Sequence, residues 1–133
     1  MRRQENRRAY IELYRTDDNG ANWKTVSLVT PRSTINSGNP ASMLRLRDGR
    51  LCATYGHREA PFGIRARMSK DDGASWGEEI ILRADGGHPD LGYTRTVQRP
   101  DGMLVTVYCV RQGAFLSEHL ESGQVRTSES FGS

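Results

Sequence analysis

The strongest constraint on the fold of this 133-residue chain is a turn pattern that occurs twice. Residues 16–23 and 69–76 both follow Ser/Thr-x-Asp-x-Gly-x-x-Trp, and the two copies start 53 residues apart. Three further pairs share this offset: the hairpin signals Asp48-Gly49 and Asp101-Gly102, the tyrosines Tyr55 and Tyr108, and the arginines Arg58 and Arg111. Agreement between independent features at one offset indicates a repeated supersecondary unit.

Each repeat is predicted to contain four β-strands, and the pattern leaves no room for a long helix. The third strand of the complete repeat alternates Ile64, Ala66 and Met68 with Arg65 and Arg67, which predicts one buried and one solvated face. The predicted strands of the complete repeat are 42–47, 50–55, 63–68 and 78–82. The first repeat supplies the last two strands, near 9–15 and 24–29, and the third supplies the first two, near 93–99 and 103–110.

The turn pattern has a structural explanation. Asp accepts hydrogen bonds from backbone N–H groups, Gly allows positive φ, Ser or Thr adds a second side-chain bond, and Trp packs over its own hairpin. We therefore interpret the two sets as structural rather than catalytic: Thr16, Asp18, Gly20 and Trp23 in the first copy, and Ser69, Asp71, Gly73 and Trp76 in the second.

Composition and charge exclude several classes of protein. A net charge of +3 is too even a balance to indicate a nucleic-acid partner. No apolar run is long enough for a transmembrane helix, and the first residues carry arginines without the apolar core of a signal peptide, so no membrane association is expected. The two cysteines and three histidines match no metal-site spacing, so no metal or cofactor is expected. Nothing in the sequence indicates a cellular compartment.

The ends of the chain carry no repeat pattern. Residues 1–8 are predicted to form a basic N-terminal tail, and residues 112–133 are polar and unpatterned and are predicted to be disordered. The repeat region is therefore assigned to 9–111.

The paired turns resemble the Asp boxes, or BNR repeats, of the sialidase-like superfamily. The resemblance covers 9–111 and implies part of a six-bladed β-propeller, with one complete four-stranded blade and two half blades. The stretch 90–95, Asp-Leu-Gly-Tyr-Thr-Arg, is similar to bacterial exo-α-sialidase-like proteins, which usually have Pro where Thr94 stands. The family's Arg-Ile-Pro motif does not occur in this chain. The resemblance implies a glycoside hydrolase that acts on glycans, here as a fragment inactive alone.

The strand order predicts where a site would lie. The first two strands of a repeat are antiparallel, so the loops 30–41, 56–63 and 85–93 share one rim. The opposite rim carries the turns 16–23 and 69–76, which we call the first and second Trp turns. Three arginines fall at that rim: Arg58, Arg95 and Arg111. By the resemblance they would bind the carboxylate of an acidic sugar, since guanidinium groups match a carboxylate bidentately, with His57 beside them.

Three more residues of this rim are candidates for catalysis. The resemblance implies that Glu59 and Asp90 act as acid or base and that Tyr93 acts as nucleophile. Other readings remain open: Glu59 can form a solvated pair with Arg58, Asp90 can cap a turn, and Tyr93 can be part of the core.

Two classes of function remain open from the sequence. The chain is either a fragment of a sialidase-like glycosidase or a non-catalytic propeller piece that binds glycans or proteins, with an inactive truncated product as a variant of the second. Unpaired edges such as 104–110 predict self-association or a companion chain that completes the propeller.

Overall fold

The computed structural model describes residues 2–5, 8–30, 40–111, 113–119 and 125–131, and in these ranges every regular element is a β-strand. The strands are β1 (Arg2–Glu5), β2 (Arg8–Arg15), β3 (Lys24–Leu28), β4 (Ser42–Arg45), β5 (Leu51–His57), β6 (Phe62–Ser69), β7 (Ile80–Gly86), β8 (Leu91–Gln98), β9 (Leu104–Val110), β10 (Gly113–His119) and β11 (Val125–Phe131). They form three open antiparallel sheets, which confirms the prediction of an all-β chain for this part of the sequence.

The sheets follow the chain order. The first sheet is β1-β2-β3, the second is β4-β5-β6-β7 and the third is β8-β9-β10-β11. The second sheet corresponds to the complete repeat, and its first three strands lie close to their predicted positions. Its last strand begins at Ile80 and continues to Gly86, later than the predicted 78–82.

The two end regions differ from the sequence interpretation. β1 lies within the predicted basic tail, and β10 and β11 lie within the predicted disordered tail. β10 pairs with β9 from Gly113↔Val110 to His119↔Leu104, so the edge of 104–110 that was predicted to be open is covered. The backbone groups of β9 require hydrogen-bond partners, and β10 supplies them along one edge. Positions 1, 6, 7, 112, 120–124 and 132–133 of the two predicted tails lie outside the described residues.

The two sheet–sheet interfaces have the same core. Between the first and second sheets an isoleucine, an aliphatic residue and a tyrosine pack together, and the same three kinds of residue pack between the second and third sheets. These trios are Ile11, Val29 and Tyr55, and Ile64, Leu82 and Tyr108. Every member of the second trio stands 53 residues after its counterpart, so the repeat describes the packing between sheets as well as the strands within them.

A chain of threonine hydroxyls also joins the second and third sheets. Thr54 Oγ1 and Thr96 Oγ1 are 2.9 Å apart, and Thr96 Oγ1 and Thr106 Oγ1 are also 2.9 Å apart. Thr94 Oγ1 donates to the carbonyl oxygen of Thr54 at 2.9 Å. All four threonines are buried, so these hydrogen bonds satisfy polar atoms that water does not reach.

The second Trp turn is closed by its own side chains. Ser69 Oγ donates to Asp71 Oδ1 at 2.8 Å, and the N–H of Ser75 donates to the same oxygen at 2.9 Å. The N–H of Gly73 donates to Ser69 Oγ at 2.8 Å, and Gly73 has φ +86°. The hydrogen bond from the Ser75 side chain is the main cause of the lowered pKa of Asp71. These contacts agree with hairpin closure as the role of the turn.

The first Trp turn has the same internal bonds. Thr16 Oγ1 donates to Asp18 Oδ1 at 2.8 Å, and Asn22 N–H donates to that oxygen at 2.8 Å. The N–H of Gly20 donates to Thr16 Oγ1, also at 2.8 Å. The side-chain hydrogen bond from Asn22 is the main cause of the lowered pKa of Asp18. The internal hydrogen bonds of the two turns are therefore equivalent.

The tryptophans differ in what they contact. Trp76 was expected to lie over its own hairpin, but its Nε1 donates to Ser27 Oγ of the first sheet at 2.9 Å, and the side chain is half-buried. Trp23 is 60% exposed, and its Nε1 donates to the carbonyl oxygen of Gly20 in its own turn at 3.1 Å. The tryptophan thus joins a turn to the preceding sheet where such a sheet is present.

Candidate functional site

The strand registers bring several loops to one edge of the second and third sheets, which we call the loop rim. His57 pairs with Gly63, and Phe62 pairs with Gly86. In the third sheet, Leu91 pairs with Val110. The ends of β5, β7 and β9 therefore meet the starts of β6 and β8 at this rim, as the strand order predicts. Within the predicted loop 30–41, positions 31–39 lie outside the described residues.

A cavity of about 330 Å³ lies at the loop rim between the ends of β7 and β9. It is lined by Arg83, Gly86, Gly87, His88, Val110 and Arg111. The two glycines carry no side chain into the space, and Arg83, His88 and Arg111 supply hydrogen-bond donors. The cavity therefore has the chemistry of a site for a small anion or an acidic group.

The donors of the cavity differ in their surroundings. Arg83 Nε donates to Asp85 Oδ1 at 2.5 Å, so part of its charge is balanced within the protein. Arg111 is exposed to solvent while it lines the cavity. His88 Nδ1 accepts the backbone N–H of Asp90 at 3.0 Å, so in the neutral ring the proton is on Nε2, which can donate.

Arg58, the counterpart of Arg111 in the repeat, lies at the same rim but makes different contacts. Its Nη2 donates to the carbonyl oxygen of Leu91 at 3.4 Å, which links the end of β5 to the start of β8. Its Nε is buried, and no hydrogen-bond acceptor among the described residues reaches it. Arg58 does not line the cavity, so the two equivalent arginines share a rim without sharing that space.

Tyr93 and Arg95, which were predicted to share a concavity with the other rim residues, are not among the residues that line this cavity. A register shift between Gly92 and Arg95 interrupts the pairing of β8 with β9, and Tyr93 adopts φ +54°. Thr94 is buried against the second sheet, whereas Tyr93 is 58% exposed and Arg95 is also exposed. Alternation along the strand therefore places Tyr93 and Arg95 on the outward face of the third sheet.

The other sequence candidates lie at the rim without lining the cavity. Glu59 is half-buried. Asp90 is exposed, and its backbone N–H donates to His88 Nδ1. His57 ends β5 and is half-buried; burial is the main cause of its lowered pKa, with a contribution from the nearby charge of Arg65. His57 is therefore neutral at pH 7.

Sequence reasoning missed a part-buried polar network on the face of the second sheet that packs on the first. Arg65 Nε lies 3.3 Å from Glu79 Oε1, and Tyr55 Oη donates to Glu79 Oε2 at 2.6 Å. Arg67 Nε donates to Tyr55 Oη at 3.3 Å. Arg65 is 3% exposed, so the prediction that this side chain is solvated is wrong. The first sheet covers this face of the second sheet. Glu79 forms an ion pair with the Arg65 guanidinium, and the carbonyl oxygen of Pro61 accepts a hydrogen bond from it.

The tyrosine of this network has no access to a ligand. Tyr55 is 0% exposed, and burial together with the hydrogen bond to Glu79 raises its pKa far above the usual range. It remains a protonated donor at neutral pH. We interpret the network as the polar part of the interface between the first and second sheets.

The described residues hold neither a cluster of metal ligands nor a helix suited to cross a membrane. No three His, Cys, Asp or Glu side chains in these ranges lie close enough together to hold a metal ion. No helix with the length and apolarity needed to cross a membrane was found in them.

This chain is similar to part of a longer protein of known structure. No family model and no curated protein matches this chain. A crystal structure of a protein of unknown function from Dyadobacter fermentans is similar, with 30% sequence identity and a TM-score of 0.57. The match covers 91% of this chain and 30% of that protein, so the chain spans less than a third of its length.

Proposed function

We propose that this chain is part of a sialidase-like, six-bladed β-propeller and that its rim cavity binds the acidic group of a glycan. The observation that carries the proposal is the cavity of about 330 Å³ at the loop rim, lined by Arg83, His88 and Arg111. The paired Trp turns and the two equivalent sheet–sheet cores support the propeller part of the proposal, because propellers are built from repeated four-stranded sheets.

An acidic sugar fits the donors of this cavity better than a neutral one. Arg111 offers a planar fork of N–H groups that matches a carboxylate, and it is accessible from solvent. Arg83 forms an ion pair with Asp85, so it adds less net positive charge to the cavity, although its side chain still forms part of the cavity wall. His88 Nδ1 accepts the backbone N–H of Asp90, so its Nε2 is left to donate to a carboxylate or a hydroxyl oxygen.

Binding is favoured over hydrolysis as the activity of this chain itself. Glycoside hydrolysis by a tyrosine or carboxylate requires that group beside the bound sugar. Glu59, Asp90 and Tyr93 are not among the residues that line the cavity, and Tyr93 lies on the outward face of the third sheet. Of the two classes of function, the non-catalytic glycan-binding propeller piece is therefore the one that we propose.

A titration with a matched pair of ligands tests the proposal. N-acetylneuraminic acid is compared with its methyl ester, which has the same shape without the negative charge. The acid should bind, and the ester should bind at least about tenfold more weakly, because charge-assisted hydrogen bonds contribute about 1.5–3 kcal/mol. Added salt should weaken binding of the acid more than that of the ester.

Two arginine variants complete the experiment. Arg111→Ala should weaken binding of the acid about tenfold or more, for the same reason. Arg15→Ala is the control, since Arg15 is exposed at the opposite rim, where it pairs with Asp17 at 2.9 Å. Equal affinity for acid and ester, or equal effects of the two variants, would show that the cavity is not a carboxylate site.

A further inference from the structure

We propose that Asn19 is a site of spontaneous deamidation and that the hydroxyl group of Thr16 controls its rate. Both residues lie in the first Trp turn, at the rim opposite the proposed glycan site, so the modification does not depend on that site. Asn19 is followed by Gly20, and the backbone N–H of Gly20 is the group that reacts.

Asn19 stands at an accessible position of the turn. Asn19 is exposed, and Gly20 has no side chain that would hinder an approach to it. The counterpart of Asn19 in the second turn, Asp72, is also exposed, although the next residue, Gly73, is buried against Leu13 of the preceding sheet. The exposure of Asn19 is therefore a property of this position of the turn, which holds where a neighbouring sheet is present.

The reaction needs no partner other than water. The backbone nitrogen of Gly20, once it has lost its proton, attacks Cγ of Asn19. The new N–Cγ bond closes a succinimide ring, and Nδ2 takes up the proton and leaves as ammonia. Water then adds to one of the two ring carbonyl carbons. Cleavage of the bond from Gly20 N to Cγ gives aspartate, whereas cleavage of the bond from Gly20 N to the main-chain carbonyl carbon gives isoaspartate. Water is consumed, ammonia is released, and nothing is oxidised or reduced.

Thr16 holds the proton that this reaction must remove. The N–H of Gly20 donates to Thr16 Oγ1 at 2.8 Å, and the Thr16 hydroxyl donates its own proton to Asp18 Oδ1 at 2.8 Å. The Thr16 oxygen is thus oriented as an acceptor toward Gly20. Solvent removes the Gly20 proton only when this hydrogen bond opens, as in the exchange of protected amide protons. The rate of deamidation is therefore set by how often the turn opens at Thr16.

The second turn indicates what the two products do to the fold. Asp72 and Gly73 have φ +56° and +86°, close to the +55° of Asn19 and the +91° of Gly20. An aspartate at this position therefore fits the closed turn. Isoaspartate adds a carbon atom to the main chain before Gly20, which moves the Gly20 N–H away from Thr16 Oγ1. The isoaspartate product should open the turn, and the aspartate product should leave it closed.

Peptide mass spectrometry of the full chain, aged in mildly alkaline buffer, is the first test. Asn19 should convert to a mixture of aspartate and isoaspartate, and the conversion should be faster in urea, where the turn is open. Asn22 is the internal control. It should stay unconverted in the folded chain, because the bulky Trp23 follows it and its Nδ2 donates to Asp18 Oδ2 at 2.7 Å.

Three variants test the control by Thr16. Thr16→Val removes the acceptor, so conversion of Asn19 should be about twofold to tenfold faster, the range that corresponds to one lost neutral hydrogen bond. Thr16→Ser should keep the unaltered rate, since Ser69 Oγ accepts the N–H of Gly73 at 2.8 Å in the second turn. Thr25→Val is the matched control, because Thr25 is exposed on β3 outside the turn, and it should not change the rate.

Melting temperatures separate the effects of the two products. Asn19→Asp should melt with the unaltered chain, whereas the isoaspartate fraction, purified from an aged sample, should melt lower. Circular dichroism checks that the variants fold. Equal rates for Thr16→Val and Thr25→Val would overturn the proposal, as would conversion of Asn22 as fast as that of Asn19. If Thr16→Val does not fold, equal rates for the folded and the urea-unfolded unaltered chain decide against it.

Discussion

Replacing Thr96 with valine should destabilise the chain with almost no change in shape. Thr96 Oγ1 is the central hydroxyl of the buried threonine chain, 2.9 Å from both Thr54 Oγ1 and Thr106 Oγ1. Valine keeps the volume of the side chain and removes both hydrogen bonds. The substitution therefore isolates the contribution of these two hydrogen bonds, of which one joins the second and third sheets and one lies within the third sheet.

The expected cost follows from the two lost bonds. A neutral hydrogen bond contributes about 0.5–1.5 kcal/mol net, so two give about 1–3 kcal/mol. The upper part of that range is expected, because Thr54 is fully buried and its hydroxyl loses its side-chain partner. The double variant Thr54→Val with Thr96→Val should cost less than the sum of the single variants, by about 1 kcal/mol, because it removes both members of one pair.

Urea unfolding followed by tryptophan fluorescence measures these differences, at one chain concentration for all variants. With a denaturant slope of about 1–3 kcal/mol/M, a loss of 2 kcal/mol moves the midpoint by roughly 1 M. Thr25→Val is the control, because Thr25 is exposed on β3 and its replacement should change stability by less than about 0.5 kcal/mol. A midpoint for Thr96→Val equal to that of the control, or strict additivity in the double variant, would refute the argument.

Three other predictions follow from the turns, from His57 and from the rim. Asp71→Ala should lower the melting temperature, since Asp71 accepts bonds from Ser69 and Ser75, and should leave the affinity for N-acetylneuraminic acid unchanged at the opposite rim; a titration with lost binding and an unchanged melting temperature would contradict this. The folded-state pKa of His57 is lowered, so its contribution to stability is complete above the unfolded pKa of about 6.5 and is lost as pH falls through the folded value; unfolding at pH 7.5 and pH 5 should show the loss, and His57→Gln should reduce it. The isolated chain should release no fluorophore from a fluorogenic sialoside, and turnover by a stable monomer would overthrow the proposed non-catalytic role.

The strands that the sequence predicts well are those bounded by local turn chemistry. Asp48-Gly49 separates β4 from β5, the first Trp turn separates β2 from β3, and the second begins where β6 ends, because the side chains that close a turn lie within it. β10 and β11 could not be predicted in the same way. β10 pairs with β9 and β11 pairs with β10, and strand formation by such a segment depends on its neighbours more than on its own composition.

Alternation predicts which residues share a face but not what covers that face. Arg65 alternates with apolar neighbours as a solvated residue would, yet the first sheet and Glu79 enclose it. At the site, strand order correctly placed Arg58 and Arg111 at one rim. It could not give the register shift after Gly92, which separates Tyr93 from the cavity. The sequence did not predict Arg83 as a site residue, because its counterpart 53 residues earlier is Thr30 and the repeat therefore shows no pair of arginines at this position.

The central position of the second sheet has a consequence for how the chain opens. Stacked repeats gain stability mainly from their nearest neighbours, and this sheet has a neighbour on each face. Amide protons of β5 should therefore exchange with deuterated solvent more slowly than those of β3, which forms an edge of the first sheet. The outer sheets should unfold before the second sheet. The last segment to keep its protection should be β5, in which six of seven residues are buried.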